Sequence, residues 1–130
     1  MIEKTQRKID FVHLHNHTDH SVLDGMCKIP DLVRRAKELG MPAISTDHGN
    51  IACAMELYQT AKKEGIKPIL GCELYYVPNM LLKTDKMYHL VLLAKEITGY
   101  RNLVEIVSAG YINGFYRKPR VDLELISEHA

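Results

Sequence analysis

Apolar and polar positions alternate over residues 9–15 (IDFVHLH), the two-residue period of a half-buried strand. The period then changes. Leu32, Val33, Ala36 and Leu39 recur at helical steps after Ile29, with Pro30 in the first turn, Asp31 favourable to the dipole and Gly40 as the stop, which predicts a helix. Residues 42–46 (PAIST) form a short apolar run between turns and predict a buried second strand. Asn50 is the expected N-cap of a helix to Lys63, with Ile51, Met55, Tyr58 and Ala61 inward and Gly65 at its end. Residues 67–77 (KPILGCELYYV) predict a third strand running past the sheet edge, and residues 89–94 (HLVLLA) a fourth. Thr98 opens a helix with Tyr100, Leu103, Val104 and Val107 on its apolar face, and residues 122–129 read as a last helical piece.

Strands and helices in alternation, with about 30 residues per β-α-β unit, form the pattern of a parallel sheet covered by helices. A closed eight-fold barrel takes about 250 residues. The 130 residues here therefore suit either a small open sheet or part of a barrel, and periodicity does not choose between them.

Composition narrows the class. With 46% apolar and 25% charged residues the chain is too apolar for disorder. No apolar run approaches the roughly 18 residues of a spanning helix, and the polar first ten residues lack a secretory signal. Seventeen Lys and Arg against 16 Asp and Glu leave a net charge of +1, with no global pull toward nucleic acid. Cys27, Cys53 and Cys72, an odd number at wide spacing, fit reduced thiols in a cytoplasmic protein. There is no linker or internal repeat, so one continuous domain is expected.

The unusual feature is histidine: seven in all, of which His13, His15, His17 and His20 fall within eight residues. Residues two apart in a strand share a side, so His15 and His17 can converge on one first-row metal ion. His13 is one step earlier on that face, as a ligand, a supporting group or a buried residue, and Asp24 can add a carboxylate from the following turn. Thr46-Asp47-His48-Gly49-Asn50 ends the second strand, and Gly71-Cys72-Glu73 follows the apolar start of the third. Active sites lie at the carboxyl ends of parallel strands. A single such histidine is more often structural; three strands ending in HNH, DH and E point to a metal site. Imidazole and carboxylate without C-x-x-C suit Zn, Mn or Fe, and the number of candidate ligands exceeds one tetrahedral centre. Paired metals about 4 Å apart favour phosphoester hydrolysis by an activated water, ahead of amide or amine hydrolysis.

Other features have plainer readings. Cys72 and Cys53 are expected in the core, and Tyr75-Tyr76 on a half-buried strand surface. Arg117, Lys118 and Arg120 form a solvated loop by default, with phosphate contact as the alternative.

Five ordered segments carry a family resemblance: FVHLHNHTDHSVLDG (11–25), MPAISTDHGN (41–50), IKPILGCELYYVP (66–78), YHLVLLAK (88–95) and GFYRKPRVDLELI (114–126). Together they resemble the N-terminal polymerase and histidinol phosphatase (PHP) domain of the alpha subunit of bacterial DNA polymerase III. The resemblance implies an α/β fold, the first half of an irregular seven-stranded TIM-like barrel with parallel strands alternating with helices. It implies two or three divalent transition ions in the complete domain, with His15, His17, Asp24, His48, Glu73 and His89 as ligands. Asp47 would orient His48 or a bound water, and His13 is a weaker candidate of the same kind. His20 and Asn16 depart from the usual family residues without removing a ligand. His89 begins its strand instead of ending it, which an antiparallel return after the third strand would repair.

The resemblance further implies a replicative DNA-directed DNA polymerase as parent, with DNA and the other polymerase subunits as partners and Mg serving polymerisation elsewhere. In such a parent this portion would support 3′→5′ exonuclease (proofreading) or pyrophosphate-cleaving activity. The rival readings are a non-catalytic interaction module and a free-standing PHP-type phosphatase. The family's later cysteine and Asp-x-His ligands are not among these 130 residues, so the portion alone is expected to be inactive. An open sheet edge would favour self-association. The segment from Gly114 onward is expected to be the least anchored.

Overall fold

The computed structural model describes residues 11–84 and 86–129. Ile9 and Asp10 of the expected first strand, and the polar first ten residues, lie outside them. In chain order the elements are α1 (Ile29–Leu39), β1 (Ala43–Ser45), α2 (Ala54–Lys63), β2 (Pro68–Tyr76), β3 (Tyr88–Leu93), α3 (Ile97–Ile112), β4 (Phe115–Tyr116), β5 (Lys118–Val121) and α4 (Leu123–Glu128).

The sheet is mixed, which corrects the expectation of parallel strands alternating with helices, and it contains the antiparallel return after the third expected strand that His89 required. β2 is its axis, parallel to β1 and β5 and antiparallel to β3, while β4 returns antiparallel on β5. Backbone bonds divide the two edges of β2. Glu73 N donates to Asp47 O, Gly49 N to Glu73 O and Val77 N to Val121 O on one edge, and Ala94 N donates to Leu70 O on the other. β1 and β5 therefore follow one another along the first edge, and β3 fills the second. Among the described residues β3 pairs only with β2.

The packing follows the amphipathic faces. Ile29, Val33 and Ala36 of α1 and Leu57 and Ala61 of α2 bury Ala43 and Cys53. Leu103, Ile106 and Val107 of α3 pack with Cys72, Leu74, Val121 and Leu125. Both buried cysteines are core residues as expected. α1 ends at Gly40, whose φ of 70° lets Met41 N reach back to Ala36 O. α2 differs from its expected form. Asn50 accepts from Ala52 N in a turn of its own, which delays the helix to Ala54. The inward face shifts accordingly to Ala54, Leu57 and Ala61, leaving Met55 and Tyr58 exposed.

Two further expectations are overturned. Residues 11–17 form no strand: a single backbone bond, Thr46 N to Asn16 O, ties them to the residue after β1, and side chains supply the neighbouring contacts. Thr46 Oγ1 accepts from Asn16 N, and both oxygens of Asp47 bind Thr18. The segment after Gly114 is firmly held instead of loose. Val121 and Leu125 are core residues, and Asp122 caps α4 through Leu125 N while also accepting from Met80 N.

Candidate metal centre

Register assembles the site. β1 pairs with β2 at a constant offset (Ala43↔Pro68, Ile44↔Ile69, Ser45↔Leu70), and after a two-residue break the same offset recurs at His48↔Glu73. On the opposite edge Tyr75 faces His89. Paired residues share a face and neighbours along a strand alternate. His48, Glu73, Tyr75 and His89 thus stand on one face, and Cys72 and Leu74 turn into the core on the other. The antiparallel turn of β3 brings His89, at a strand start, to the end of the sheet where the loop after β1 lies.

Glu73 is the hub. Its side chain is 3% exposed, and Oε2 lies 2.8 Å from His15 Nε2 and 2.7 Å from His17 Nε2. The other oxygen, Oε1, lies 2.8 Å from His89 Nδ1. His15 Nε2 and His17 Nε2 are 3.2 Å apart. Two groups of potential ligands result, His15/His17/Glu73 and His48/Glu73/His89, each with its donor atoms within 4.8 Å of one another. His48 Nε2 is buried and, among the described residues, is the one such side-chain nitrogen or oxygen without a hydrogen-bond partner. These features fit a metal. Tetrahedral ligand atoms with bonds of about 2.0–2.1 Å lie about 3.3 Å apart, close to the 2.7–3.2 Å edges here.

Asp24 lies between two histidines, 3.0 Å from His17 Nδ1 and 3.0 Å from His48 Nδ1. Ser21 Oγ donates to the same carboxylate and accepts from His48 N. The Ser21 bond is the largest influence on the Asp24 carboxyl; partial burial opposes it, and His48 and His17 add to it. The carboxyl is held well below its usual range. Burial pushes the Glu73 carboxyl up, but hydrogen bonds from His15 and His17 and nearby histidine charge outweigh it, so Glu73 is also lowered. Burial above all pushes the Cys53 and Cys72 thiols up to about 12, so neither supplies a thiolate at neutral pH.

Several candidates stand differently from expectation. Asp47 is fully buried, and its oxygens accept from Thr18 N at 2.6 Å and Thr18 Oγ1 at 2.7 Å. It fixes the loop that carries His15 and His17, and Asp24, not Asp47, meets the His48 ring. His13 belongs to neither group; its ring lies edge-on to Phe11. Arg120 is no phosphate contact, because it is 2% exposed and donates to Gly114 O, Leu82 O and Met80 O. Lys118 instead lies over the Tyr75 ring, 5.3 Å from its centre.

Sequence reasoning missed Thr18, Ser21 and Tyr75 as site residues. The three-residue step from Ser21 to Asp24 is a turn spacing that signals the first contact. Tyr75 stacks on His48 at 4.2 Å between ring centres. Gly49 makes room for it, with φ at +73° and Tyr75 Cε2 only 2.8 Å from where a Cβ would stand. Gly49→Ala is therefore expected to cost about 1–2 kcal/mol from backbone conformation alone. Denaturant unfolding measures this, and a changed His48 ring shift in NMR would report the displaced tyrosine.

Comparison with known proteins shows what the whole chain is similar to. DNA polymerase III subunit alpha of Treponema pallidum is 47% identical over 130 residues, covering 95% of this chain and 11% of that protein. The Thermus aquaticus protein of the same name is 44% identical over 133 residues, covering 95% and 11%. That of Helicobacter pylori is 48% identical over 124 residues, covering 92% and 10%. The chain spans about a tenth of the length of these relatives. The PHP domain model matches residues 13–130, nearly the whole chain including every residue of the site just described, and the chain belongs to the PHP domain family.

Proposed function

We propose that this chain is part of the PHP domain of a bacterial DNA polymerase III alpha subunit, and that its histidine–glutamate cluster serves phosphoester hydrolysis. The proposed reaction is 3′→5′ removal of nucleotides from DNA. The observation that carries this reading is the two-sided Glu73 carboxylate, with one oxygen toward His15 and His17 and the other toward His89. A carboxylate so placed suits two ions at once.

The proposed ligands are His15, His17, Asp24, His48, Glu73 and His89, for two or three ions of Zn, Mn or Fe. Asp24 and His48, whose Oδ2 and Nδ1 lie 3.0 Å apart, would hold the third ion. Bound there, the ions supply Lewis acidity at the phosphoryl group and lower the pKa of the attacking water. The chain does the rest. Asp47 holds Thr18, and so keeps His15 and His17 facing Glu73. Tyr75 braces the His48 ring from one side. In this reading the mixed sheet is the opening part of the seven-stranded barrel. DNA and the other polymerase subunits are the partners in the cytoplasm, and the outer edge of β3 is where the isolated chain would self-associate. Mg-dependent polymerisation belongs to other regions of the parent.

The test is degradation of 3′-labelled single-stranded DNA by an alpha subunit carrying this chain. Activity is expected to need a divalent transition ion and to vanish in chelator. Loss of outer contacts to a metal ligand typically costs about 10–100-fold, so His15→Ala with His17→Ala is expected to cost more. A well-folded double variant with undiminished activity would overturn the reading.

A further inference from the structure

Asp24 stands in a turn, and solvent reaches it. Its side chain is 41% exposed, against 3% for the other carboxylate of the site, Glu73. An exposed carboxylate has several rotamers open to it, so its placement between His17 and His48 needs a cause.

The turn itself supplies one. Ser21 N donates to Thr18 O at 3.0 Å, and Ser21 O accepts from Asp24 N at 3.0 Å and Gly25 N at 2.7 Å. Val22 and Leu23 between them are exposed and pack nothing down. Ser21 is 1% exposed, and its hydroxyl is where three groups meet. It donates to Asp24 Oδ1, accepts from His48 N at 3.1 Å and lies 3.5 Å from His17 Nδ1. His17 Nδ1 approaches the same Oδ1 at 3.0 Å, whereas His48 Nδ1 approaches Oδ2 at 3.0 Å. The two carboxylate oxygens are thereby sorted. Oδ1 is held by Ser21, and Oδ2 is left facing His48.

We propose that Ser21 is a positioning residue for Asp24, fixing the carboxylate so that Oδ2 alone is offered to the ion proposed at Asp24 and His48. The proposal rests on the proposed metal-dependent function and adds selectivity to it. Ser21 bonds to Asp24 and to the backbone of His48, not to Glu73 or His89, so its influence falls on one position and not on the others. A hydrogen bond behind a ligating carboxylate fixes its orientation and sustains metal affinity. Because Ser21 is buried and held through its own backbone, the carboxylate is set before any ion arrives, and less ordering remains to be done on binding.

The test uses crystals of an alpha subunit carrying this chain, grown metal-free and then soaked in graded Mn²⁺, with occupancies read by anomalous diffraction. Ser21→Ala is expected to need about 10–100-fold more Mn²⁺ to half-fill the position at Asp24 and His48, the usual cost of losing a contact behind a metal ligand. The positions beside Glu73 should fill as in the parent. Ser21→Thr keeps the hydroxyl and should restore parental filling. In the loaded parent, Asp24 Oδ2 and not Oδ1 should lie at ligand distance from the ion. In metal-free Ser21→Ala crystals, the Asp24 carboxylate should leave His17 and His48 for rotamers that face solvent. The proposal is overturned if Ser21→Ala fills every position as the parent does, if all positions weaken together, or if Ser21→Thr is as impaired as Ser21→Ala. It also falls if both Asp24 oxygens ligate in the parent, or if Asp24 keeps its place in the metal-free Ser21→Ala variant. Failure of the underlying metal reading shows separately, as a parent whose positions stay empty at saturating Mn²⁺; the metal-free place of Asp24 then still decides the role of Ser21.

Discussion

Glu73→Gln is expected to remove metal binding from both sides of the site at once. The substitution preserves volume and hydrogen-bonding reach, but it replaces a charged bridging group with a neutral amide. Changes in contacts outside a metal's ligands already cost about 10–100-fold in affinity. Loss of a shared anionic ligand is therefore expected to cost more than about 100-fold at each position. His89→Ala should behave differently, since His89 lies on the Oε1 side alone. It is expected to weaken one ion and spare the other. Isothermal titration with Mn²⁺ distinguishes these results by stoichiometry: two or more ions for the parent, one fewer for His89→Ala, and two fewer for Glu73→Gln. Parental affinity in Glu73→Gln would show that Glu73 is not a ligand.

Arg120→Ala is expected to be the most damaging substitution outside the centre. Each of the three guanidinium nitrogens donates to a backbone carbonyl, which ties the turn at 80–82 and the start of β4 to β5. Hydrogen bonds to charged groups contribute about 1.5–3 kcal/mol each, and buried carbonyls left unpaired add their own cost. A loss of more than about 3 kcal/mol is therefore expected, read from the denaturant midpoint. Arg120→Lys should recover little, because one ammonium cannot span three carbonyls held in a fixed fork. A change below about 1 kcal/mol would mean that the 80–82 turn is held by Asp122 alone.

The contrast between Arg120 and Lys118 shows where sequence reading loses information. Both belong to one basic run, and in β5 residues two apart share a face. What separates them is tertiary: the turn at 80–82 brings carbonyls to Arg120, and Tyr75 meets Lys118. No local pattern encodes either neighbour. Helix positions were legible where capping and periodicity agreed, as in α1. The start of α2 was not, because Asn50 uses its side chain in a turn four residues ahead of the helix.

The site was legible as a set of residue types, since His15, His17, His48, Glu73 and His89 do meet. What makes them meet is only partly strand-end position. The first segment is held by one backbone bond, Thr46 N to Asn16 O, and by the Thr46 and Asp47 side chains instead of a continuous strand ladder, and Glu73 lies within β2, not at its end. His89 reaches the site through antiparallel register, which the spacing of strands does not reveal.

The most direct test of a metal centre built around Glu73 is anomalous diffraction from crystals of this chain soaked in Mn²⁺. The account predicts two peaks flanking the Glu73 carboxylate, one facing His15 and His17 and one facing His48 and His89. Bond lengths should lie near those of first-row metals, about 2.0–2.2 Å. Fully loaded crystals with no peak within about 3 Å of either Glu73 oxygen would contradict it.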